Sequence, residues 1–80
     1  MQRKKIINVL KSNAISNMQL HVSNVELYLT NSVGIGEHSD IMEAINVELD
    51  KIAKYQGRWD ALELVQRGDV YEYDDTKTEH

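Results

Sequence analysis

Asn31-Ser-Val-Gly-Ile-Gly-Glu-His-Ser-Asp40 decides the fold. Gly34 and Gly36 stand in it without a competing helical pattern. Apolar residues at steps of three and four run into this stretch from one side and leave it on the other. The stretch therefore reads as the bend of a helical hairpin, with the glycines turning the chain.

Upstream, Ile7, Leu10, Ala14, Met18, Val22, Val25 and Leu29 fall in one stripe at about 100° per residue. The spacing predicts a helix over about 3–31. Ser12-Asn13 and Ser16-Asn17 compete locally for backbone hydrogen bonds and mark where that helix could break. The stripe keeps phase across both pairs, which favours continuity. Val9, Leu20 and Leu27 lie on the opposite face and offer a second contact surface. Asn17, Asn24 and Asn31 recur every seven residues, a spacing that can set helix register beside an apolar seam.

Downstream, a second helix is expected over about 39–67, with 32–38 as the turn. Ser39 and Asp40 are equally good N-caps, and Asp40 to Glu43 has capping-box spacing. Ile41, Ile45, Leu49, Ile52, Tyr55, Trp59 and Leu62 form its apolar face. Asp50 and Lys54 are placed for an i,i+4 ion pair. Gly57 is a soft point inside the pattern, and Gly68 after Arg67 is a natural C-terminal stop. Residues 69–80 turn acidic and read as a frayed tail beyond a hairpin domain of residues 1–68.

Composition limits the alternatives. Eighty residues make one domain with a modest core. There is no cysteine, so disulfides and thiolate metal sites are excluded. There is no proline and little glycine, against a turn-rich β fold. The apolar run after Arg3-Lys4-Lys5 is too short for a signal peptide, and no stretch has the length of a membrane span. Charge divides along the chain: residues 1–30 carry +3, residues 31–56 carry −3 and residues 57–80 carry −4. Opposite signs on the two halves suit antiparallel packing of one on the other.

Little in the chain points to chemistry. Glu37, His38 and Asp40 form the one tight group of potential metal ligands or acid–base residues, and a hydrolytic metal centre needs three ligands held in place. Helix capping accounts for the acids without a metal. Gly34-Ile-Gly36 lacks the further glycines, the lysine and the preceding strand of a phosphate loop. His21, at the edge of the first stripe, reads as a boundary histidine satisfied by a neighbour. The basic start, Arg3, Lys4, Lys5 and Lys11, is too small for strong phosphate-driven binding. No enzyme activity, cofactor or metal is expected.

The run from Asn31 to Ile45, followed by Glu48-Leu-Asp-Lys-Ile-Ala-Lys-Tyr55, resembles small uncharacterised proteins of tailed bacteriophages, notably those of marine cyanobacteria. The similarity covers roughly residues 24–64, with Gly34-Ile-Gly-Glu-His38 its most specific part. That family commonly has proline where this chain has Ser39. The resemblance implies a phage origin and a place in the host cytoplasm or the virion. It brings no catalytic residue with it.

The expectation is an all-α antiparallel hairpin, completed by a second copy as a homodimeric four-helix bundle. Its function is that of a non-enzymatic phage accessory or structural protein that binds a phage or host protein. Glu37, His38, Tyr55, Trp59, Leu20 and Leu27 are the candidate contact residues. The alternatives are a nucleic-acid-associated protein using the basic start, and a metal-dependent enzyme at Glu37, His38 and Asp40.

Overall fold

The computed structural model describes residues 2–31 and 38–68, with the side chains of His38 and Ser39 excepted. It contains two α-helices, α1 (Gln2–Asn31) and α2 (His38–Arg67), packed on each other as a hairpin. No strand occurs among the described residues. Pairing is antiparallel: the start of α1 meets the end of α2, with Arg3 on Val65 and Lys11 on Glu63, and its middle meets the middle of α2, with His21 on Glu48. Each helix has 30 residues and so runs about 45 Å.

α1 is continuous through both Ser-Asn pairs. Asn17 shows the competition that made a break plausible: its Nδ2 donates to the Asn13 carbonyl at 2.9 Å, one turn back. The helix survives because the hydroxyls and amides bond along it. Thr30 does the same, donating from Oγ1 to the Glu26 carbonyl at 2.7 Å.

α2 begins at His38, inside the stretch expected to bend. Ser39 and Asp40, expected as N-caps, therefore occupy helical positions. Asp40 is instead the acid of the first turn, where it complements the positive end of the helix dipole. Gly34, Gly36 and Glu37 lie outside the described residues. The far end of α2 is closed by Gly68, whose φ of 75° is left-handed and costs glycine little. Its N–H donates to the carbonyls of Leu64 and Val65 at 3.0 and 3.2 Å, satisfying the last turn. Arg67 places a cation at the negative end.

The helices meet along a seam with strict alternation of three- and four-residue steps. In α1 it runs through residues 7, 11, 14, 18, 21 and 25; in α2 through 41, 45, 48, 52, 55, 59, 62 and 66. This is the 3.5-residue repeat of paired helices. Ile7, Ala14, Met18 and Val25 of the expected α1 stripe are in it, but Leu10, Val22 and Leu29 are exposed. In α2, Glu48 takes the interior place expected of Leu49. The reason is chemical: Lys11, His21 and Glu48 face inward because each finds a polar partner across the seam.

Gly57 lies in mid-helix on the exposed side, and a Cβ there would meet nothing within 4 Å. Gly57→Ala should therefore raise stability by about 0.5–1 kcal/mol, through the entropy a glycine loses in a helix. An upward shift of the urea midpoint with an unchanged slope would show it; no shift would mean that α2 already frays there.

Candidate interaction surfaces

The seam carries two polar layers. In the central one, His21 Nδ1 lies 2.7 Å from Glu48 Oε1, and Asn24 Nδ2 donates to the same oxygen at 3.1 Å. The side chains of His21 and Glu48 are 12% and 13% exposed. An ionised carboxylate only accepts, so the proton between them sits on His21 Nδ1. The imidazole stacks on Tyr55, with ring centroids 6.0 Å apart and planes 9° from parallel. Lys54 Nζ and the Arg58 guanidinium lie 5.4 and 5.0 Å from the Tyr55 ring centre. Lys54 thus goes to an aromatic ring, and the expected Asp50–Lys54 pair is not formed.

The second layer lies towards the helix ends remote from the bend. Lys11 Nζ pairs with the Glu63 carboxylate, donates to Gln66 Oε1 at 2.7 Å and sits 4.7 Å from the Trp59 ring centre. One turn further out, Arg3 donates to the Val65 carbonyl at 2.7 Å. No buried side-chain nitrogen or oxygen lacks a partner among the described residues.

The hydrogen bond from His21 is the main cause that holds the Glu48 carboxyl below its ordinary value of 4.5, and the bond from Asn24 adds to it. A carboxylate held low when folded contributes stability above its unfolded value and loses it as pH falls through the folded one. Acid should therefore weaken the hairpin below about pH 4.5, and Glu48→Gln should flatten that dependence. Urea midpoints of both chains at about pH 6 and about pH 3 test it. Equal acid losses in the two chains would show that Glu48 contributes nothing.

The candidate contact residues fall in different places. Tyr55 and Trp59 are half-buried in the seam, under His21 and Lys11. Leu20 and Leu27 are exposed on the outside of α1. His38 opens α2, and Glu37 lies outside the described residues. His21 is partnered across the seam, as its boundary position implied. Glu48 drew no such expectation, although its place in the four-three repeat marks it as interior. Of the basic start, Lys11 is drawn into the seam and Arg3 bonds a carbonyl. Lys4 and Lys5 remain exposed, beside an open depression of about 580 Å³ that Asn8, Val9 and Ser12 also line.

Among the described residues no group of three or more metal-ligating side chains comes together, and no helix is long and apolar enough to cross a membrane. No family model, curated protein or solved structure matches the chain.

The hairpin's interior is small. Among the described residues only Ile7 and Ala14 are buried, at 5% and 0% exposure, while fourteen large apolar side chains are exposed. Their positions relative to the seam are not random. Ile15 and Val22 each follow a seam position of α1, and Leu29 continues the spacing of seven past the last of them. Met42 and Leu49 each follow a seam position of α2, at the same spacing. In an antiparallel pair these two columns lie along the same flank of the seam. The other flank carries Asn17 and Asn24 from α1 with Lys51 and Arg58 from α2, and the exposed Leu10 and Val65 further along it.

Proposed function

We propose that this chain is a non-enzymatic interaction protein that works as a homodimeric four-helix bundle and binds a phage or host protein. One observation carries the reading: among the described residues two side chains are buried and fourteen large apolar ones are exposed. A pair of helices encloses little volume, and a core of this size rarely supplies more than a few kcal/mol. With no cysteine to staple the hairpin, association is the remaining route to burial. The polar groups inside the seam are satisfied by each other and by Asn24 and Gln66, which suits a structural role. The resemblance of residues 24–64 to small proteins of tailed phages supports an accessory or structural task during infection.

Sedimentation equilibrium at micromolar concentration tests the assembly. A dimer mass with high helicity is expected. A well-folded chain that stays monomeric throughout that range would remove the basis for the reading.

A further inference from the structure

We infer that the second copy docks on the flank formed by Ile15, Val22 and Leu29 of α1 with Met42 and Leu49 of α2. This rests on the homodimer reading and assigns the face that such a dimer uses. The five side chains are 40–64% exposed. Both columns repeat every seven residues, in phase with the seam, so they extend its packing sideways into a second layer. Core-facing helices of a bundle need such a third apolar position beside the two seam positions.

The columns also match in height. His21 and Asn24 both meet Glu48 across the seam, so Glu48 stands between their heights and Leu49 lies near the height of Val22. By the same antiparallel count Leu29 stands level with Met42. The surface is therefore two apolar residues wide over about 10 Å, the rise of seven helical residues, and Ile15 extends it along α1 opposite Gln56. A second hairpin presents a surface of the same width and pitch, and a two-fold axis through the patch sets each column on its counterpart.

Area and charge agree with that occupant. The exposed parts of five such side chains amount to a few hundred Å² per copy, so two copies with their rims approach roughly 1,000 Å², the lower bound of a specific interface. The helix positions bordering the columns are Gln19 and Glu26 on α1 and Asn46 and Ala53 on α2. Glu26 is the one charge among them, so a self-paired face repeats a single charge. The opposite flank carries Lys51, Lys54 and Arg58, which a two-fold partner would set against their own copies.

Val22→Glu and Leu49→Gln, each in the full chain, test the assignment against Leu20→Gln and Leu27→Gln on the outside of α1. The first pair should weaken dimerisation roughly tenfold or more, with helicity retained, and the second pair should leave it within about twofold. Leu49→Gln introduces no charge at a half-exposed site and keeps the test open if Val22→Glu misfolds. A wild-type chain that never dimerises overturns the homodimer reading itself. A dimeric wild type whose affinity falls with Leu20→Gln or Leu27→Gln, and not with Leu49→Gln, overturns only the choice of flank.

Discussion

Ala14→Leu should be the most damaging single change in the hairpin, costing about 1–3 kcal/mol. Ala14 has no exposed surface, the one residue of the described chain at that extreme. It lies in the seam between Lys11, which covers Trp59, and His21, which stacks on Tyr55. The small side chain lets the two backbones approach between the aromatic layers. Three added carbons there must push the helices apart, and both polar layers lie within two turns of the strain. A two-helix chain has few kcal/mol to lose. Urea unfolding followed by helicity measures the effect. Retention of the wild-type midpoint by Ala14→Leu would mean that the helices have room at this level and that the seam is looser than its geometry indicates.

The second large effect is one of sign. His21→Leu or Glu48→Leu alone should destabilise the hairpin, whereas the double replacement should be less harmful than either. Removing one partner leaves the other half-buried group without its bond, and that penalty exceeds the worth of the bond. Removing both replaces a polar layer with two apolar side chains of similar reach. The double variant should nevertheless pack less uniquely. A slide of one heptad sets His21 against Tyr55 or Ile41 in place of Glu48, and it also separates Lys11 from Glu63. Both layers therefore form together in one register only. With the central layer apolar, that restriction rests on Lys11 and Glu63. A double-mutant cycle in urea, with proton–nitrogen correlation spectra of each variant, separates stability from uniqueness. Additive losses in the cycle would show that His21 and Glu48 act independently.

Six of the seven residues expected on the inner face of α2 lie in the seam, because Ile41, Ile45, Ile52, Tyr55, Trp59 and Leu62 are apolar and correctly spaced. α1 was harder to read. Its interior includes Lys11 and His21, which hydropathy assigns to the surface, and its flank includes Val22 and Leu29, which hydropathy assigns to the core. Hydropathy marks what can leave water at no cost; it does not register a polar group whose partner sits on the other helix. The partners of Lys11 and His21 are 52 and 27 residues away, so no local pattern joins them. The alternation of fours and threes was legible without hydropathy, and it selects the polar seam residues as well. Val22 and Leu29 of the second column were read into the stripe itself, since their flank is defined by where α2 lies, and Ile15 drew no expectation. The expected bend, with its glycines and Glu37, falls outside the described residues.

The placement of the polar layers has a kinetic meaning. Contacts next to a bend close the shortest loop and so cost the least chain entropy. Here those contacts are apolar: Val25 on α1, with Ile41 and Ile45 on α2. Apolar side chains tolerate a slipped pairing, so zipping can start before the register is settled. His21 and Glu48 come next along the seam and reject a slip, since either would then be shut in without a partner. Lys11 and Glu63 repeat the test further out. A slipped pairing would therefore leave two polar layers unsatisfied, at His21–Glu48 and again at Lys11–Glu63.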